Sequence, residues 1–314
     1  MSNIQANNQA NIEGQIQGKI QVKLFGPTTV VTAEGTVLSD LGGIKPRQVL
    51  EILALAVGTP VSKDRLVEQL WGDNPPRTYT GTLESYISLL RRKMGIARGR
   101  GSALATTSNG YLLDATQVSV DLDQFRRLTQ PAPGTSPAQA LAATGQALGL
   151  ITGELLASEP YAEWAGDERA GFGAEYLAAC NRAAEHALTV EDPHTAITLA
   201  RRGIETDSIS ETAWQLLIRG LSATGARSEA LRAYLDLRAT LIDALGTEPS
   251  PTSRALYLDL LAEDRTTTTP ATSINEVKTL LALLRDALDG MPHIDLSIND
   301  RKLTARAERL VAAA

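Results

Sequence analysis

Residues 76–95 read PRTYTGTLESYISLLRRKMG, and the whole chain is organised around them. As a helix beginning near Thr78 or Thr80, the stretch places Leu83, Ile87, Leu90 and Met94 at i, i+4, i+7 and i+11, a single apolar stripe. The other face carries Thr82, Ser85, Tyr86, Leu89, Arg92 and Lys93, with Arg91 at its border. Hydroxyl residues, Thr78 and Thr80 among them, come first and cations last. Such a helix can set its first turns against base edges in the major groove while guanidinium and ammonium groups hold flanking phosphates. In isolation, the same pattern would also suit an amphipathic helix with a solvated basic end. Its neighbours decide between the two.

Upstream, Lys19–Val31 alternates as strand does and is broken by Gly26-Pro27, and Thr36–Leu41 can return as a further strand. After Gly42-Gly43, Val49, Leu50, Leu53, Ala54 and Val57 define a helix stopped by Gly58. Ser62 caps a second helix with Leu66, Val67, Leu70 and Trp71 on its buried stripe, and Gly72 ends it. Paired prolines keep the linker Gly72-Asp73-Asn74-Pro75-Pro76 from being helical. Downstream of the basic helix, LATTSNGYLLDA has two extended runs around Ser108-Asn109-Gly110, an Asn-Gly hairpin signal in which Gly110 is expected to take a positive φ. Strands, three helices and a hairpin make a winged helix-turn-helix, with Asn109, Gly110 and Tyr111 in the wing reaching DNA beside the third helix.

The charge agrees with this division. The net −6 conceals an excess of three positive charges over residues 20–115, where 11 Lys and Arg face 8 Asp and Glu, and of nine negative charges over residues 116–314. Acidic surfaces repel phosphate backbones, so nucleic-acid contact belongs to the first unit. The Asn- and Gln-rich start reads as a disordered tail without the apolar block of a secretory signal. No apolar run is long enough to cross a membrane. One cysteine, Cys180, cannot form an internal disulfide, which suits a cytoplasmic protein.

The pieces KPRQVLEILAL, VSKDRLVEQLWGDNPPR, TLESYISLLRRKMG and NGYLL resemble the OmpR-type DNA-binding domain, in the variant found in actinomycete antibiotic regulatory proteins, the SARP family. The likeness covers residues 20–115 in order. One departure is Leu89, where family members usually carry Arg; an apolar contact to a thymine methyl is the alternative there. The resemblance implies that the loop of Asp73, Asn74 and Arg77 touches RNA polymerase, although a rigid spacer would look the same in sequence.

The acidic remainder is a series of Ala- and Leu-rich helices, with runs at 138–148 and 166–190. Residues 195–200 and 229–234 align at an offset of 34, with Trp214 and Leu217 on a helix between them, the period of tetratricopeptide helix pairs. VDLDQFRRL, the WAGDERA run and LRAYLDLRATLIDALGTEPSPTSRALY resemble the bacterial transcriptional activation domain of the same family. Residues 265–273 read as a linker, and 275–288 and 301–313 as helical runs.

Catalytic chemistry is not expected. His186, His194 and His293 lack metal-ligand spacing, no Gly-rich phosphate loop leads to Lys-Ser or Lys-Thr, and no G-x-S-x-G elbow occurs. The phospho-acceptor domain of a response regulator is not expected either. The expected organisation is a tail (1–18), a winged helix (19–115), a helical tetratricopeptide-like activation domain (116–264) and a linker with a small helical segment (265–314). The class is mainly α with small β elements. The resemblance implies an activator without cofactor, dimeric on repeated double-stranded DNA sites, that recruits RNA polymerase holoenzyme at an antibiotic cluster. A repressor or architectural binder, and a helical scaffold with a vestigial winged helix, are the alternatives.

Overall fold

The computed structural model describes residues 18–99 and 101–267. Residues 1–17 of the expected tail (1–18) and the helical runs expected at 275–288 and 301–313 lie outside the described residues. The chain to Tyr257 forms one compact unit and a second begins at Leu258.

Strands β1 (Ile20–Lys23), β2 (Thr29–Val31) and β3 (Val37–Leu38) form an antiparallel meander. Helices α1 (Ile44–Leu55), α2 (Lys63–Trp71) and α3 (Tyr79–Lys93) follow, with the two-residue strand β4 (Val61–Ser62) between α1 and α2. Helix α1 is central and buried nearly all round, from Gln48 to Ala54, the mark of a helix covered on every side. Ser62 caps α2 by accepting from the Arg65 amide, and Gly72 ends it at φ 55. Strands β5 (Leu104–Thr106) and β6 (Gly110–Leu113) pair as the expected hairpin, and β4 joins them in the order β4-β6-β5.

Alternation over so few residues conceals two strands. One is β4. The other is β7 (Val118–Val120), which pairs in parallel with β1, Ile20 opposite Val118 and Val22 opposite Val120. Its three residues are all buried, so no polar-apolar alternation marks it. The four-stranded sheet β3-β2-β1-β7 is thus closed by chain from beyond the hairpin.

From β7 the chain enters α4 (Asp121–Thr129), α5 (Pro137–Gly149) and the long α6 (Glu163–Thr189). Ser136 and Gln139 form a full capping box on α5. Then come α7 (Pro193–Thr206), α8 (Glu211–Ala223), α9 (Arg227–Leu245) and α10 (Pro251–Thr267). The two segments at the 34-residue offset lie in α7 and α9, with α8 between them. Ala196 and Ala230 are fully buried. Gly220 lies so close to the Ile197 side chain that even a methyl group would collide. Small residues here let helix axes approach closely. Helix α10 runs to Thr267, into the stretch expected as linker.

Two clusters weld the first three strands and helices to the rest. The Asp121 carboxylate accepts the amides of Leu24 (2.9 Å to each oxygen), Phe25 (3.1 Å) and Leu122 (2.8 Å). Around it, all three phenylalanines of the chain meet: Phe25 to Phe125 at 6.3 Å, and Phe172 at 5.1 Å from each. In the second cluster, Glu51 on α1 is fully buried and accepts the Thr28 hydroxyl at 2.5 Å. Arg47 lies 3.5 Å from Glu51 and 2.7 Å from Glu159. Burial first, and then the nearby Glu159 carboxylate, push Glu51 up to about 7.

The raised value sets a sign. Folded Glu51 holds its proton more tightly than unfolded Glu51, so its contribution is complete below about pH 4.5 and is lost as pH rises through about 7. Glu51→Gln keeps an acceptor for Thr28 but cannot titrate. Between pH 5.5 and 8, its stability relative to wild type should rise by on the order of 1–3 kcal/mol in urea unfolding. A pH-independent difference would show that Glu51 is charged throughout.

Candidate nucleic-acid interface

The outward face of α3 is set by what its inner face buries. Leu83, Ile87 and Leu90 are buried along it, and Met94 at its C-cap continues the stripe. Opposite them stand Gly81, Ser85 and Arg92, all exposed, with Ser88 and Leu89 partly exposed at the flanks. The Ser85 hydroxyl donates to the Gly81 carbonyl at 2.8 Å and that of Thr82 to Thr78 at 3.1 Å. Each hydroxyl oxygen still has lone pairs to offer. Thr78 and Thr80 are exposed at the helix entrance.

The cations divide by role. Arg91 donates to the Leu104 carbonyl at 2.7 and 2.9 Å and to the Thr106 hydroxyl at 2.8 Å, clamping α3 to strand β5. Arg98 reaches the Ser88 hydroxyl at 3.0 Å. Lys93 is paired with Asp40 at 2.6 Å. Arg92 stays exposed. Ser85, Ser88, Arg91, Arg92 and Arg98 line one shallow concavity on α3, with Glu84 as its acidic member. Ser88 and Arg98 are the members that sequence reasoning overlooked. Ser88 falls beside the stripe in heptad terms, and Arg98 lies beyond the helix, where periodicity has nothing to say.

Three expected contact residues also pack within the fold, and Leu89 lines the concavity as well. Tyr86 stacks on Trp71 with ring centroids 6.4 Å apart, joining α3 to α2. Leu89 is half-buried and fills the space above Gly42, where a side chain on that residue would overlap it. Tyr111 is 2% exposed, a core residue of β6. Its ring alternates inward once Gly110 is fixed against β4. Asn109 is exposed at the hairpin tip, with its carbonyl accepting the Lys63 amide at 2.9 Å.

The expectation for Gly110 needs correction. It is not among the positive-φ residues. Glycine is required because Gly110 faces Ser62 across the sheet and a Cβ there would strike the Val61 carbonyl. The linker residues Asp73, Asn74 and Arg77 are all exposed, on the short path from Trp71 to Tyr79.

Comparison with known proteins matches two family models to the chain. Residues 43–113 match the family described as "Transcriptional regulatory protein, C terminal", and residues 120–261 match "Bacterial transcriptional activator domain". The chain is 30% identical over 258 residues to the regulatory protein DnrI of Streptomyces peucetius, covering 77% of this chain and 92% of that one. It is 29% identical to the transcriptional regulator RedD of Streptomyces coelicolor, covering 77% and 71%. Against the regulatory protein AfsR of Streptomyces griseus it spans 24% of that protein's length. Among solved structures, Mycobacterium tuberculosis EmbR in complex with a low-affinity phosphopeptide superposes with a TM-score of 0.68 at 27% identity, over 86% of this chain and 71% of that one.

Gly110→Val should cost about 1–3 kcal/mol of stability, since overpacking against the β4 backbone has no flexible group to yield. Urea unfolding measures this directly. Unchanged stability would mean that β4 can leave β6 without loss.

Proposed function

Since the chain belongs to the SARP family of transcriptional activators, pairing an OmpR-type winged helix with a bacterial transcriptional activation domain, we propose that it acts in the cytoplasm at the promoters of an antibiotic biosynthetic cluster. There it binds repeated double-stranded sites as a head-to-tail pair and recruits RNA polymerase holoenzyme. The observation that carries the DNA half of this reading is the concavity of Ser85, Ser88, Arg92 and Arg98 on α3. Hydroxyls that can accept or donate face base edges there, and guanidinium groups flank them at phosphate-bridging positions. Thr78, Thr80 and Thr82 extend the surface toward the helix entrance, and the tip at Asn109 supplies a wing contact. Direct repeats suit head-to-tail binding, in which each copy presents the same α3 face to successive turns of the duplex.

The polymerase half rests on the 72–78 linker. Asp73, Asn74 and Arg77 project from a proline-stiffened loop beside α3, so they can meet a protein while α3 occupies the groove. Rim charges of this kind set recruitment rate and orientation more than affinity.

Arg92→Ala should weaken binding to specific and random duplexes alike and reduce the slope of log K against log salt by about one. Fluorescence anisotropy across a salt series measures both. An unchanged slope would show that α3 is turned away from the backbone. Asp73→Ala with Arg77→Ala should hold operator affinity within about threefold, under roughly 1 kcal/mol, while lowering transcription from a purified promoter and polymerase. Equal losses of binding and transcription would leave the loop a spacer. Repression in the wild-type assay would favour a repressor.

A further inference from the structure

The outward hydroxyls of α3 have fixed polarity. Ser85 donates its hydrogen to the Gly81 carbonyl at 2.8 Å, and Thr82 donates to that of Thr78 at 3.1 Å. A hydroxyl has one hydrogen, so both present only lone pairs to a ligand. Ser88 is the reverse case. Its oxygen accepts from the Arg98 guanidinium at 3.0 Å, and its hydrogen has no acceptor among the described residues. Glu84 is exposed beside Ser85 in the same concavity, and its ionised carboxylate is an acceptor only. Lys63 holds its Oε1 at 3.0 Å and is itself fixed by its amide on the Asn109 carbonyl at 2.9 Å. The Oε2 atom has no partner among the described residues. One turn earlier stands Gly81, where a Cβ would meet nothing within 4 Å, so the approach to both acceptors is open.

The concavity is thus divided. The acceptors Glu84 and Ser85 occupy the half toward the helix start, and the donors Ser88, Arg92 and Arg98 the half toward its end. On a face that only gripped phosphates, Glu84 would be a liability, since a carboxylate repels the backbone of every sequence alike. A base edge is different. In the major groove the hydrogen-bond donors are the amino groups of cytosine and adenine, whereas guanine and thymine present acceptors that a carboxylate opposes. Adenine sets an N7 acceptor beside its amino group, and that atom would face the second of the two acceptors on α3. Cytosine presents its amino group alone. Resting on the placement of α3 in the major groove, we propose that Glu84 is a specificity-determining residue: its free oxygen accepts the N4 amino group of a cytosine, and Ser85 closes the site to adenine. The Lys63 ion pair holds the carboxylate in place and offsets part of its charge.

The test uses the full chain, a randomised duplex library put through rounds of binding and sequencing, and anisotropy on the selected duplex. Wild type should select cytosine at one position and bind each of the other three bases there at least about fivefold more weakly. Glu84→Ala should bring all four bases within about twofold at that position and leave the rest of the selected sequence unchanged. Glu84→Gln should shift the preference to adenine, since an amide takes N6 and N7 together. Lys63→Met removes the ion pair but keeps the carboxylate, and should keep the cytosine. Replacing that cytosine by pyrimidin-2-one, which lacks the amino group, should weaken wild type but not Glu84→Ala. Urea unfolding of each variant reports that the fold is intact. A cytosine preference unchanged in Glu84→Ala, or an equal change on every duplex, would make Glu84 a partner of Lys63 alone and overturn the proposal. So would Lys63→Met losing the cytosine as Glu84→Ala does. Those results leave α3 in the groove as long as Arg92→Ala still lowers the salt slope. No selected sequence together with an unchanged slope would remove that placement and the proposal with it.

Discussion

Asp121 is the residue on which the architecture depends. The amides of Leu24 and Phe25 lie just past the end of β1, in residues that are almost completely buried, and neither finds a backbone partner across the sheet. One carboxylate from the first turn of α4 takes both, and the Leu122 amide as well. Burial holds that carboxyl above the usual aspartate value, although the three amide donors favour its charged form. The arrangement is worthwhile because each buried amide left without a partner would cost about 1–3 kcal/mol.

Everything around Asp121 is arranged to keep it there. Strand β7 brings it to the end of β1 by pairing in parallel with that strand, after a crossover that includes all three helices of the winged head. The three phenylalanines close the apolar side, and Arg126 of α4 ties Glu168 and Glu175 of α6 from the other. Beyond Phe25, the chain bonds to the connection between α5 and α6. The Gly26 amide donates to Glu154 at 2.8 Å, that of Leu156 to Leu24 at 2.8 Å, and that of Thr28 to the Ser158 hydroxyl at 3.0 Å. The reading head and the start of the helical half therefore share one core.

Much of this could be read in the residues themselves, and the rest fails for identifiable reasons. The helices of the head announced their ends through Ser62, Gly72 and the double proline, and the α7–α9 register was visible as small residues at a fixed period. Strand β7 was not legible, because three buried residues have no alternation to display. The face of α3 was legible only to within about a quarter turn. Tyr86 and Lys93 look outward on a helical wheel, yet Trp71 and Asp40, distant in sequence, claim them. Gly110 was read as a turn glycine; its real constraint, the Val61 carbonyl, belongs to a strand too short to foresee. A groove lined by α1, α2 and residues 158–167 has no trace in any single stretch.

Whether head and helical half are one cooperative body is best tested by native-state hydrogen exchange on the full chain with Asp121→Ala. The account predicts that amides in Ile20–Val31 and in Asp121–Thr129 lose protection together and by the same free energy, while those of α7–α9 keep theirs. Loss confined to α4, with β1 and β2 as protected as in wild type, would contradict it.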